Sequence, residues 1–177
     1  MNDFLVEYRH ECPVISPEMA VVAEQFQILL GVVGQDRKTV RDAIRDLGQS
    51  MMKVQGDTGE FHEYDHTVIN SMYRRTIFMK KGGMYATKIH TEHNFSFVMQ
   101  GRARVISEDG DVILQSPDMF ITAPGTQRVF IIEEDMVFVT MHPNPTNSVD
   151  YEALEDRLSV TTVEDFENRI GYLEVRS

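Results

Sequence analysis

Cysteine, tryptophan and long apolar runs are what this 177-residue chain has least of. It contains one cysteine, Cys12, and no tryptophan, so no disulfide can form within the chain. Its most apolar run, residues 21–33, is interrupted by Glu24, Gln25 and Gln27 and is too polar to span a membrane. The first residues contain no basic cluster of the kind that opens a signal peptide. These absences predict a cytoplasmic protein, or one assembled into a particle within a cytoplasm.

Basic residues are also scarce, because 17 Lys and Arg stand against 28 Asp and Glu and leave a net charge of −11. The acidic excess lies outside the middle of the chain, since residues 61–149 hold 8 basic and 10 acidic side chains while 150–177 hold 3 and 8. Direct nucleic-acid binding is disfavoured, because neutralising phosphates requires clustered Lys and Arg. We interpret the acidity as a solvated surface. DNA mimicry, or docking to a basic partner protein, is the alternative.

Two helices are predicted near the N-terminus. Ser16 as N-cap and a proline at the first helical position begin a helix over 17–33, which Gly34 ends. This helix is apolar almost all round, which is typical of a helix buried against its own domain or another chain. The second helix spans 37–54, with Asp36 as its cap and a heptad-type apolar seam. The helices either pack on the rest of this chain or join copies of it into a homo-oligomer.

Short β-branched and apolar runs separated by turn residues dominate the middle of the chain. Their spacing predicts an antiparallel β-barrel or sandwich rather than alternating strands and helices. The predicted strands cover 72–79, 84–90, 95–99, 102–107, 112–115, 119–122, 128–132 and 136–141.

Two acidic helices are predicted after the strands, one over 150–158 and one reaching residue 170 from a capping box of Thr161 and Glu164. A polar, glycine-containing stretch over 54–60 is the predicted linker before the strands. The chain therefore divides into an N-terminal arm with two helices (1–58), a β-barrel (59–147) and acidic C-terminal helices (148–177).

Two segments of the strand region, KIHTEHNFSFVMQG and SPDMFITAPGTQRVF, resemble the two motifs of the cupin superfamily. These motifs run approximately H-x-H-x(3,4)-E-x(6)-G and G-x(5)-P-x-G-x(2)-H-x(3)-N. Gly101 matches the closing glycine of the first motif, and Pro124 with Gly125 matches the turn of the second. The resemblance implies a mainly β fold, a cupin-like antiparallel β-barrel with an N-terminal helical extension and short C-terminal helices.

Three of the four positions at which the resemblance would place metal ligands have changed. In register with the first motif they are Lys88, His90 and Asn94, and in the second motif Arg128 stands at the histidine. Protonated Lys and Arg do not coordinate a metal. No cofactor is therefore predicted, and a divalent metal on His90 and His93 is the alternative.

These four positions are instead predicted to line a polar, cationic mouth of the barrel that binds a ligand. A guanidinium offers a two-pronged donor that suits a carboxylate or another small anion. The competing interpretation pairs Arg128 with Glu133 or Glu134 on the surface and points Lys88 into solvent.

The longer pattern from TKIHTEHNFSFVMQG to HPNPTN, followed by an acidic helix, resembles a group of phage-encoded cupin-like proteins. That resemblance implies an accessory role in a host cytoplasm or in a virion, with the N-terminal helices as the assembly element. No catalytic residue is predicted, because the sequence shows neither an acid–base pair nor a phosphate-binding glycine loop.

Three functions stay open at this point. The preferred one is a non-enzymatic cupin-like barrel that forms a homo-oligomer through its N-terminal helices and acts as a binding or structural accessory protein. The first alternative is a metal-dependent enzyme of the dioxygenase or isomerase type. The second is a metal-free binder of a small anionic ligand. None of the three involves a membrane or direct contact with nucleic acid.

Overall fold

The computed structural model describes residues 17–58 and 62–174, which form a seven-stranded sheet, a two-stranded sheet and four helices. The predicted fold class is confirmed, because the strands are antiparallel and are preceded by two helices and followed by two short ones. The arm predicted over 1–15 lies outside the described residues. In chain order the elements are α1 (Pro17–Val32), α2 (Arg37–Thr58), β1 (His62–Ile69), β2 (Met72–Met79), β3 (Met84–Ala86), β4 (Ile89–His90), β5 (Asn94–Ser107), β6 (Gly110–Gln115), β7 (Asp118–Thr122), β8 (Arg128–Pro143), α3 (Tyr151–Leu158), β9 (Ser159–Val160) and α4 (Val163–Glu174).

The α1–α2 hairpin follows the predicted end signals. The chain leaves α1 through Gly34, whose φ of +86° is a left-handed conformation that glycine adopts without strain. Asp36 caps α2, because its Oδ1 accepts the backbone N–H of Thr39 at 3.1 Å. The predicted Ser16 cap lies outside the described part of the chain.

The predicted linker over 54–60 is wrong for residues 54–58, because α2 continues to Thr58. Met51 and Val54 pack against the cluster beneath the helix. Burial of these side chains favours helix by more than the glycine at position 56 costs.

Two long strands organise the sheet where four shorter ones were predicted. β5 runs without a break through the predicted turn at residues 100–101, and β8 runs through the predicted turn at 133–135. The register between the two strands shifts between Val98 and Ala103, which marks a β-bulge. Gly101 lies in this bulge with a φ of +83°. A bulge and a turn use the same local residues, so the sequence pattern did not separate them.

The bulge divides the sheet into two parts. In the first half-sheet, residues 94–98 of β5 pair with β7 and with the end of β8, which also pairs with β2. In the second half-sheet, residues 102–107 of β5 pair with β6 and with the start of β8, which also pairs with β3. One buried cluster joins the inner faces of both parts, formed by Met79, Val98, Ala103, Val105, Phe130, Ile132, Met136 and Phe138.

The α1–α2 hairpin covers the outer face of the second half-sheet. Ile44 and Leu47 of α2 share a fully buried cluster with Ile106 of β5 and Val129 of β8. The helices therefore pack on this chain's own sheet, the first of the two predicted arrangements. The homo-oligomer stays a prediction.

The C-terminal elements are attached beside β4. Asp150 caps α3 by accepting the N–H of Ala153 at 3.1 Å, as the predicted start of this helix requires. The second cap is shifted by one residue from the predicted Thr161–Glu164 box, since the N–H of Asp165 donates to Thr162 Oγ1 at 3.0 Å. β9 pairs with β4, so the strand predicted over 84–90 is broken into β3 and β4. The division of the chain at residues 58 and 147 stays a prediction.

Within the described residues, none of the helices combines the length and the apolar character that crossing a bilayer requires.

Candidate functional site

A cavity of about 350 Å³ opens between the two half-sheets and is closed on one side by α2 and on another by the segment from α3 to residue 161. Its wall combines apolar side chains with a small number of charged and polar ones. The apolar residues lining it include Ile44, Met51, Ile77, Met79, Phe130 and Phe138, and the polar ones include Arg75, Lys88, His90, Ser96, Gln127, Arg128, Thr140 and Glu155.

His90 is held at the cavity by the backbone on both of its sides. Its N–H donates to the carbonyl of Thr126 at 3.1 Å, and its carbonyl accepts the N–H of Gly125 at 2.7 Å. The Asn94 amide lies 3.4 Å from His90 Nδ1. The predicted neighbours His90 and Asn94 are therefore brought together by the turn that also carries the Pro124–Gly125 motif.

A chain of hydrogen bonds leads from Asn94 to Arg128. Ser96 Oγ donates to Asn94 Oδ1 at 3.0 Å and lies 2.9 Å from Thr122 Oγ1. Arg128 Nη1 in turn donates to Thr122 Oγ1 at 3.0 Å. Three of the predicted site residues, His90, Asn94 and Arg128, thus belong to one network. This network fixes the guanidinium at the cavity wall.

Arg128 points into the protein and has a neutral hydrogen-bond partner. Its Cζ lies 5.2 Å from the centroid of the Phe120 ring, and burial lowers its pKa from the ordinary value. The surface pairing with Glu133 does not form, because Glu133 binds Arg102 at 2.9 Å. Among the described residues Arg128 forms no ion pair, and the charges of Glu108 and Asp109 only partly offset the effect of burial on its pKa.

Arg75 is a second guanidinium at the cavity, and the sequence reasoning missed it. Its Cζ lies 5.8 Å from the centroid of the Tyr64 ring, and its buried Nε has no hydrogen-bond partner within the part of the chain that is described. A signal was present, because Tyr73, Arg75, Ile77 and Met79 alternate along β2 and alternate residues share a face. A basic residue among apolar residues on one face of a predicted strand could therefore have identified Arg75.

His142 was also missed, although it is almost completely buried, with 1% of its surface exposed. Its ring centroid lies 6.3 Å from that of His90 and 5.9 Å from that of Tyr73. Neither ring nitrogen has a hydrogen-bond partner among the described side chains. A buried imidazole with an unsatisfied donor and acceptor therefore lies next to His90, although His142 does not itself line the cavity.

Both imidazoles are held neutral. Burial lowers the pKa of His90 to about 3, and the charges of Arg75 and Arg128 act in the same direction. Burial likewise lowers the pKa of His142 to about 3, with Arg75 and His90 as further causes. Each neutral ring offers one N–H donor and one acceptor nitrogen.

The neutral state of His142 predicts a loss of stability in acid. The imidazole binds a proton near pH 6.5 in the unfolded chain but only near pH 3 in the folded protein. As the pH falls from 6.5 towards 3, proton binding therefore favours the unfolded chain and lowers the free energy of unfolding. Between these values His142 should contribute about 1.4 kcal/mol per pH unit to the slope of the unfolding free energy. Urea unfolding from pH 7 to pH 4 should show a shallower slope in His142→Asn, with the exposed His93→Asn as control. Equal slopes in His142→Asn and the parent chain would contradict the prediction.

Lys88 and His93 lie apart from this network. Lys88 Nζ forms an ion pair of 2.9 Å with Glu155 Oε1, and both side chains are about half exposed at the cavity rim. His93 is exposed and does not line the cavity. The structure thus places Lys88 at the mouth of the site and His93 outside it.

The donor set does not fit the metal site that the cupin resemblance suggests. Across residues 17–58 and 62–174 no three His, Cys, Asp or Glu side chains come close enough to hold an ion. His90 and His142 meet, but Asn94 and two arginines are the other groups near them. The positive charges of Arg75 and Arg128 near these two histidines would repel a divalent metal ion.

The comparisons with known proteins concern the fold. No protein-family model matches this chain, and no curated protein matches it significantly. Several solved structures are similar to it. An RmlC-like cupin from Shewanella frigidimarina is 16% identical, and the match covers 54% of this chain and 85% of that one with a TM-score of 0.44. A cupin-2 domain-containing protein from Halorhodospira halophila is also 16% identical. That match covers 50% of this chain and 70% of the other, with a TM-score of 0.43.

KdgF from Halomonas sp. is 14% identical to this chain, and the match covers 50% of this chain and 84% of that one with a TM-score of 0.43. Proteins described as cupins are thus among the solved structures to which this chain is similar.

Proposed function

We propose that this chain is a metal-free, cupin-type binding module whose cavity holds a small anionic ligand with an apolar body. The observation that carries this proposal is the pair of guanidiniums, Arg75 and Arg128, at one cavity. Neither forms an ion pair within the described residues, and the carboxylate that lines the cavity, Glu155, binds Lys88.

Charge balance favours an anion in this cavity. A buried cation is costly unless a counter-charge and hydrogen bonds compensate for it. A carboxylate accepts two parallel N–H bonds from a guanidinium. Thr140 lines the same cavity, and its buried Oγ1 has no hydrogen-bond partner in the described part of the protein. A bound carboxylate would satisfy both kinds of group.

The rest of the wall favours an apolar ligand body. Ile77 and Met79 line the cavity from β2, and Phe130 and Phe138 line it from β8. A cavity of about 350 Å³ lies at the lower end of the size range of ligand pockets. The ligand class that fits is therefore a compact carboxylate with an aromatic or aliphatic body, rather than a sugar or a nucleotide.

Probe carboxylates test this proposal directly. Benzoate and phenylacetate are expected to raise the unfolding temperature saturably, and the neutral benzyl alcohol is not. Arg128→Met and Arg75→Met should each weaken binding about 10- to 100-fold, since each removes charge-assisted hydrogen bonds. Titration calorimetry measures the affinities.

The control is Arg104→Met, because Arg104 binds Asp111 at the surface and does not line the cavity. Its affinity for the probes should equal that of the parent chain. Absence of saturable binding for every anion tried, or equal affinities in the Arg128 and Arg104 variants, would contradict the proposal.

A second candidate function is the self-assembling accessory role inferred from the sequence. Its support is one side of α1, on which Val21 and Ile28 are each 45% exposed. The metal-dependent enzyme is the weaker alternative. Stoichiometric metal in untagged protein that is lost in His90→Ala would favour it.

A further inference from the structure

The outer face of the first half-sheet is apolar and exposed. Four side chains carry most of this surface, which we call the outer apolar face: Phe95 is 49% exposed, and Met99, Met119 and Ile121 are each 62% exposed. Single exposed apolar residues are common on proteins, but a contiguous group marks an interaction surface.

Strand register makes the group contiguous. Phe95 pairs directly with Ile121, and Phe97 pairs with Met119. On the other side of β5, Phe95 pairs with Met141 of β8. Residues at alternate positions share a face, so these side chains form one apolar stripe across three neighbouring strands, with no charged residue within it.

On the second half-sheet, apolar residues of the outer face are covered by a helix. Its outer face carries Ile106 and Val129, which are fully buried because α2 packs on them with Ile44 and Leu47. The exposure of the outer apolar face shows that none of the described helices or strands covers it. The apolar part of the second outer face is therefore covered by α2, whereas the outer apolar face of the first half-sheet has no such cover among the described elements.

We propose that a second copy of this chain covers the outer apolar face, so that two copies pack these faces together about a two-fold axis. The four defining side chains expose roughly 400 Å², about half of the ~800 Å² that each partner of a stable interface buries. The flanking Phe97, Val139 and Met141 are partly exposed and supply additional area. Self-packing needs one patch only, because a two-fold interface is built from the same patch twice.

The charge distribution favours this site for self-association. Each copy carries a net charge of −11, so two copies repel each other over most of their surfaces. The outer apolar face is the region where contact adds no like charges. This arrangement differs from the homo-oligomer predicted from the sequence, which uses the N-terminal helices.

Sedimentation and light scattering of the full chain decide between the two surfaces. The parent chain should show twice the monomer mass of 20.3 kDa. The double variant Met119→Lys/Ile121→Lys should dissociate to monomer, with a dissociation constant raised about 100-fold or more, because it places charges at the centre of the interface. Ile121→Thr, which keeps a β-branched side chain, should weaken the dimer by a smaller factor while preserving the strand.

The matched control is Val21→Lys/Ile28→Lys on one side of α1, where both side chains are 45% exposed. This variant should remain dimeric, and circular dichroism and urea unfolding check that all variants fold. A parent chain that stays monomeric at the highest concentration reached would overturn the proposal. A Met119→Lys/Ile121→Lys variant that is as dimeric as the parent would also overturn it. Dissociation of the α1 variant alone would assign the interface to the helices and overturn it too.

Discussion

Gly101→Ala is expected to lower the free energy of unfolding by about 3–5 kcal/mol, or to prevent folding. A Cβ at this position would lie 2.3 Å from the carbonyl oxygen of Asp135 and 2.8 Å from Met136 Cα. Both atoms belong to the backbone of β8, so relief requires moving the strand. The residue also has a φ of +83°, which adds strain for any L side chain. Urea unfolding measures the change.

Gly82→Ala is the matched control for this prediction. Gly82 has the same φ of +83°, but nothing lies within 4 Å of a Cβ added to it. Its substitution should cost about 1–2 kcal/mol, the strain of the left-handed conformation alone. Equal losses at the two positions would show that close approach of β5 and β8 at the bulge is not what requires glycine at 101.

Arg41→Met is expected to be the other strongly destabilising change, at about 3–5 kcal/mol. Arg41 Nη2 of α2 binds Glu108 Oε1 at 2.8 Å, and only 16% and 4% of these side chains are exposed. Removing the guanidinium leaves the Glu108 carboxylate buried without its counter-charge. The pair joins the helical hairpin to the turn between β5 and β6, so hydrogen exchange in α2 should rise together with the loss of unfolding free energy.

The control for the ion pair lies one helical turn earlier. Arg37 binds Asp109 at 3.1 Å, but 70% and 68% of these side chains are exposed. Arg37→Met should change the unfolding free energy by less than ~1 kcal/mol. Adding Glu108→Leu to Arg41→Met should restore much of the lost stability, because the unpaired charge is removed. A double variant as unstable as Arg41→Met would refute burial of the lone carboxylate as the cause.

Signals that depend on neighbouring residues were read correctly. Gly34 ends the first helical region, and Asp36 caps the second helix. The strand over 72–79 has the predicted bounds. Caps and alternating strands are set within a few residues by backbone hydrogen bonds and side-chain periodicity, so a short window contains the information.

The two long strands were divided wrongly for a reason that lies outside such a window. Gly101 in a hairpin turn and Gly101 in a bulge look alike in sequence. The difference is the partner strand, since β5 and β8 pair on both sides of the bulge. The start of α4 was misplaced by one residue, because Thr161 and Thr162 are both competent caps.

The residues of the candidate site were likewise predicted only in part. His90, Asn94 and Arg128 were found because the motif spacing keeps them in register, and the structure joins them through Ser96 and Thr122. The remaining groups were missed, because their sequence neighbourhood shows only strand residues. They are Arg75, Thr140 and His142.

Composition and local pattern were enough to establish an acidic, mainly β chain with capped helices on either side, because these properties arise from short stretches of chain. The cavity with its two guanidiniums, the neutral histidine pair and the exposed outer sheet face were decided by tertiary structure alone. Each depends on which strands pair, in which register, and on what packs over them, and residues 75, 90, 128 and 142 meet only when those long-range pairings form.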